Sequence, residues 1–145
     1  TKNYKNIIQK KNYKNILINE KSFFSKNKDY VSRFIDCLYQ EKFDLVEIHN
    51  RPSYLKQIYE KFNQLNFILI FHNNPLTLKG SKTISDRIFL LKICKKIVFV
   101  SDWVKEKFFH NLKIYNHQNC ETIYPSIEKM RNFPIKKKIL FLLEN

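Results

Sequence analysis

A parallel α/β sheet with helices on both faces is the fold class that this chain predicts. Two observations predict it. Short β-rich apolar runs alternate with stretches of three- and four-residue apolar spacing, the pattern of successive βαβ units. The run Phe67-Ile68-Leu69-Ile70-Phe71 is apolar on both faces, as a central parallel strand must be.

The elements follow in order. Ile16-Leu17-Ile18 reads as a strand. Tyr30, Val31, Phe34, Ile35, Leu38 and Tyr39 recur at helical spacing and predict a helix over about 29–42. Leu45-Val46-Glu47-Ile48 reads as the second strand. Leu55, Ile58, Tyr59 and Phe62 mark a helix, with Ser53 placed to cap it after Pro52. After the central strand, residues 72–82 hold Pro75 and Gly80 and read as a loop. Ile84, Ile88 and Leu91 form the stripe of the next helix, and Ile97-Val98-Phe99-Val100 a buried strand. Ser101-Asp102 would cap a helix carrying Trp103, Val104, Phe108 and Leu112. Residues 121–124 and 138–143 read as two further strands, and 125–137, with two prolines and four basic side chains, as a linker between them.

Composition excludes several functions. The chain has 145 residues, one domain's length, with 43% apolar and 28% charged residues, so it can bury a core. Its single glycine rules out the phosphate-cradling loop and the dinucleotide fingerprint, each of which needs several. Three cysteines, far apart and without a CxxC pair, give no support to a zinc ribbon or a redox motif and fit a reducing compartment. The four histidines show no metal-ligand spacing. No glycine-flanked nucleophile elbow is present. No apolar run approaches the ~20 residues that span a bilayer.

Lys and Arg total 27 against 13 Asp and Glu, a net charge of +14. The lysines are dispersed, which reads first as a solvated surface and second as affinity for anionic partners. A basic nucleic-acid-binding module is the rival that this charge and the 15% aromatic content support. Most aromatics, however, fall on core stripes, so nucleic acid is not the expected partner.

Chemistry in an open parallel sheet gathers at the carboxyl ends of the strands. Here the second strand ends in His49-Asn50-Arg51-Pro52 and the third in His72-Asn73-Asn74-Pro75. The fourth ends in Ser101-Asp102. Two adjacent strands each delivering His-Asn concentrate imidazole and amide groups on one rim, and such groups suit hydroxyl-rich ligands. Arg51 would clamp an anion or pair with a surface carboxylate, and Ser101 would cap a helix or touch a ligand.

The string running from DLVEIHNRPSYL through FILIFHNNP and LLKICKKIVFVSDWV to ETIYPSIEK and KKKILFLLEN resembles the amino-terminal half of a retaining GT-B glycosyltransferase. It is closest to family 4 of the glycosyltransferase classification, as found in polysaccharide and lipopolysaccharide assembly. The likeness covers roughly residues 43–143.

The resemblance implies a Rossmann-like acceptor-side domain over 1–124 lacking its first strand, an inter-domain linker over 125–137, and the first strand of a donor-binding domain over 138–145. It implies that His72 reaches the transferred sugar as the catalytic histidine. His49, Asn50, Arg51, Asn73 and Ser101 would contact substrates. The partners it implies are a nucleotide-sugar donor and a glycan or lipid-linked acceptor, with no metal and no cofactor besides that donor. A cytoplasmic place follows, with peripheral contact to an anionic membrane. The family's glycine-rich loop over the donor phosphates and its Glu-x7-Glu signature are missing, so the chain reads as a fragment, inactive alone.

Overall fold

The structure is a computed structural model, and it describes residues 26–114, 117–125 and 139–142. The expected strand at 16–18 and linker at 125–137 lie outside them, apart from Pro125. The chain divides into two compact units, Thr1–Glu41 and Lys42–Asn145.

The first unit is described from α1, Lys26–Gln40. Its 3.6-residue pattern buries Val31, Phe34, Ile35 and Leu38 and leaves Tyr39 exposed.

The second unit is an α/β Rossmann-like fold on a parallel sheet. Its elements are β1 (Leu45–His49), α2 (Pro52–Tyr59), β2 (Asn66–Phe71), a short 3₁₀ turn (Pro75–Thr77), α3 (Ile84–Ile93), β3 (Lys96–Phe99), α4 (Asp102–Phe109), β4 (Cys120–Thr122) and β5 (Ile139–Leu142). The described strands lie in the order β4-β3-β2-β1-β5, all parallel. Strand β5, which falls in the stretch expected to open a further domain, pairs with β1 and ends the order of the described strands.

Strands β1 to β4 march across the sheet in one direction. Right-handed crossovers then place α2, α3 and α4 on one face. The aromatic contacts agree: Tyr59 meets Phe67 and Phe89, while Phe108 meets Phe71 and Phe99. Under these helices Val46, Ile48, Phe67, Leu69, Phe71, Ile97 and Phe99 are fully buried.

Local expectations were corrected in three places. Ser53 does not cap α2; Arg51 occupies the cap position without its side chain capping the helix, and Pro52 takes the first turn, where a missing N–H costs nothing. The α3 stripe is rotated from the expected one. Ile84 and Ile88 are 46% and 53% exposed, and Arg87, Leu90 and Leu91 turn inward. A capping box of Thr83 and Asp86 starts this helix. Trp103 is 53% exposed and lies under Lys107, so Val104, Phe108 and Phe109 supply the buried stripe of α4. Ser101 caps α4 as expected, its Oγ accepting from the Val104 N–H.

The loop after β2 is pinned at three points. Gly80 has φ +90°, and a Cβ there would lie 2.6 Å from the Ser53 nitrogen, so only glycine lets the loop approach the start of α2. Ser81 is buried and donates its hydroxyl to the Pro75 carbonyl at 2.6 Å. Arg87, 2% exposed, donates to the carbonyls of Ser81, Lys82 and His110 and so ties the loop to the end of α4. Burial pushes its guanidinium down from the ordinary arginine value, against the pull of Asp86.

Candidate functional site

The register of β1 on β2 builds the site. His49 lies level with Ile70, and Glu47 with Ile68. Level residues in a parallel pair share a face, and alternate residues repeat it, so Glu47, His49, Ile68, Ile70 and His72 all project to the side away from the helices. There His49 Nδ1 lies 2.8 Å from His72 Nε2. The two rings are 18° from parallel with centroids 5.2 Å apart, which places the nitrogens edge to edge. Glu47 Oε1 lies 2.7 Å from His49 Nε2.

Asn50 locks the two strand ends together. Its backbone has φ 52°, a left-handed conformation that asparagine tolerates better than most residues. Its N–H donates to the Ile70 carbonyl, and its side-chain oxygen accepts from the N–H groups of His72 and Asn73 at 2.8 and 3.2 Å. The rim is thus braced by one side chain. Partial desolvation of its ring lowers the His72 imidazole below its ordinary value, and the neighbouring His49 lowers it further.

The other expected residues are placed less directly. Arg51 is half-buried at the cap position of α2, where its carbonyl accepts from the Tyr54 N–H. Asn73 is exposed beside His72. Ser101 ends the next strand, with its hydroxyl engaged as the α4 cap. The structure therefore brings His49, Asn50, His72 and Asn73 into one cluster, and it sets Ser101 one strand over.

Two features escaped the sequence reading. Glu47 joins the histidines; a carboxylate two residues before His49 on the same side of a strand was the available signal. Beyond Ser101, the Asp102 carboxylate accepts from Thr122 Oγ1 at 2.7 Å and from the Tyr124 hydroxyl. These bonds, Tyr124's first, hold Asp102 below the usual carboxylate value, and Asp102 in turn raises the Tyr124 phenol.

The face away from α2–α4 is a groove of about 970 Å³, whose floor includes Leu45, Ile68, Ile70, Val98 and Val100. Glu47 and His72 line it, and Tyr124 and Pro125 close its carboxyl end beyond β4. Lys96 and Glu121, paired at 2.9 Å, lie on its far side. Imidazole, amide, carboxylate and phenol groups around an apolar floor can hydrogen-bond the hydroxyls of a ligand while its carbon skeleton rests on the sheet.

Other chemistries find less here. Burial pushes the Cys94 thiol up strongly and the Cys120 thiol up to about 12, so neither is a ready nucleophile. Among the described residues no group of three or more His, Cys, Asp or Glu side chains is arranged to hold a metal ion. No described helix is long and apolar enough to cross a membrane.

No protein-family model, curated protein or solved structure matches the chain.

Proposed function

We propose that the chain is the acceptor-side part of a retaining GT-B glycosyltransferase of family 4 type. It would help transfer a sugar from a nucleotide sugar to a glycan or lipid-linked acceptor in cell-surface polysaccharide or lipopolysaccharide assembly. One observation carries the reading: His49 and His72 emerge hydrogen-bonded from adjacent parallel strands at the sheet's carboxyl edge, above a groove.

Glycosyl transfer needs an acceptor hydroxyl held close to the anomeric carbon through a charge-separated, oxocarbenium-like transition state. His72, exposed at the rim and backed by His49, supplies a hydrogen-bonding group for that positioning. Asn73 and the 49–51 loop border the same place. Stabilising the departing diphosphate falls to a donor-binding domain. The net charge of +14 favours an anionic membrane surface, where lipid-linked acceptors reside; each nearby lysine contributes about 1 kcal/mol.

The test is nuclear magnetic resonance of the chain titrated with oligosaccharides, followed by transfer assays on the whole gene product. Saccharides should shift the amides of residues 49–51 and 72–73, and His72→Ala should abolish those shifts. In the whole gene product the same substitution should slow transfer by about 100-fold. A rim silent to every saccharide, together with a salt-sensitive shift of generic DNA, would instead establish the nucleic-acid-binding alternative.

A further inference from the structure

Glu47, His49 and His72 form one hydrogen-bonded chain from groove to rim, and its hydrogens can be counted. A carboxylate only accepts, so His49 Nε2, facing Glu47 at 2.7 Å, carries its hydrogen. The 2.8 Å contact between His49 Nδ1 and His72 Nε2 needs one hydrogen between two nitrogens. In the uncharged pair that hydrogen belongs to His72 Nε2, because neutral His49 already carries its own at Nε2. His72 Nδ1 is left bare, and it has no hydrogen-bond partner among the described residues.

We propose that Glu47 is a positioning residue which, through His49, holds His72 Nδ1 as a bare acceptor for the hydroxyl hydrogen of a ligand. The site then selects groups that donate. A ligand oxygen that can only accept, such as a carbonyl or a carboxylate, meets a lone pair there and is disfavoured. That the donor is a sugar hydroxyl rests on the transferase reading above; the tautomer does not.

The chain also sets the response to acid. With its hydrogen bonds intact, both ends of the His49–His72 contact and the Glu47-facing nitrogen are occupied, so an added proton leaves a hydrogen on His72 Nδ1. It does so whether the charge settles on His72 or, after the shared hydrogen crosses, on His49. The acceptor becomes a donor without any side chain moving. Partial burial and the neighbouring His49 lower the His72 imidazole from its ordinary value, which disfavours placing the charge on that ring. Among the described residues, His49 and through it Glu47, both on β1, are bonded to His72, while Tyr124 (itself bonded to Asp102), Asp44 and Lys95 also line the groove. Lys96 and Glu121 lie farther along the groove and pair with each other.

The experiment is long-range proton–nitrogen resonance of the histidine-labelled chain, which reads the tautomer of each ring without any ligand or activity. Near neutral pH, His49 and His72 should each appear as a single Nε2–H tautomer. In Glu47→Leu, whose fold circular dichroism would check, the single-tautomer signature should be lost from both rings. Glu47→Gln keeps an accepting oxygen and should preserve more of it. His72 carrying its hydrogen at Nδ1 in the parent chain would overturn the proposal without any variant. Unchanged tautomers in a folded Glu47→Leu chain would overturn it equally. If the tautomers are as stated but no saccharide perturbs His72, the positioning role stands and the transferase reading fails.

Discussion

The two faces of the sheet are made from alternate residues of the same strands, yet they are built for different ends. On the helix side β1–β3 present Val46, Ile48, Phe67, Leu69, Phe71, Ile97 and Phe99, all without solvent exposure. On the other side they present Glu47, His49, Ile68, Ile70 and Lys96, all only half-buried, with Val98 the buried member of that face. The first face supplies cohesion: Phe71, Phe99 and Phe108 meet with centroids 5.3–5.9 Å apart. The second face spends strand positions on ionisable groups, which a sealed core would neutralise or expel. Stability and chemistry are divided by the pleat.

Substitutions should expose that division. Phe99→Ala, which opens a cavity under α4, should cost about 3–5 kcal/mol in denaturant unfolding. Its counterpart across the pleat, Ile70→Ala, should cost only about 1–2 kcal/mol, because the side chain already meets solvent. Equal costs would erase the distinction.

Gly80→Ala should cost about 2–4 kcal/mol in the same assay. The new methyl would be driven into the backbone of Pro52 and Ser53, and the φ of +90° disfavours any side chain. Since this loop begins at the rim, amides of residues 72–74 should shift as well.

Acid should act on the groove face first. The folded-state value of His72 lies below its ordinary 6.5, so the unfolded chain takes up that proton more readily. This stability contribution is therefore complete above about pH 6.5 and declines as pH falls below it. Unfolding titrations of His72→Gln should show a shallower acid slope. The smallest effect belongs to Lys96 and Glu121, whose side chains are partly exposed; a double-mutant cycle should give about 0.2–1 kcal/mol, shrinking with salt.

Much of the fold was legible because period-two and period-3.6 patterns are local. Phe67–Phe71 announced a central strand, and Ser101 announced a helix start. The α3 stripe was misread because Arg87 turns inward, which a hydrophobicity pattern counts as polar surface; its burial depends on carbonyls from Ser81, Lys82 and His110. Trp103 was misread for the opposite reason, as a large apolar side chain that stays outside.

Within the candidate site, the proximity of His49 and His72 followed from two like strand ends on neighbouring strands. Glu47 was legible only in part: its place two residues before His49 on one side of β1 is a local signal, whereas the link onward to His72 requires the β1–β2 register, which no local pattern encodes. The Asp102–Thr122–Tyr124 cluster likewise depends on β4 lying beside β3.

Asn50 carries a mechanical consequence. One carboxamide grips the first two amides beyond β2 while its own backbone sits at the end of β1, so neither loop can swing without dragging the other. Opening or closing at this edge would then be a single concerted hinge with one relaxation rate, and the two flanking segments would behave as one lever.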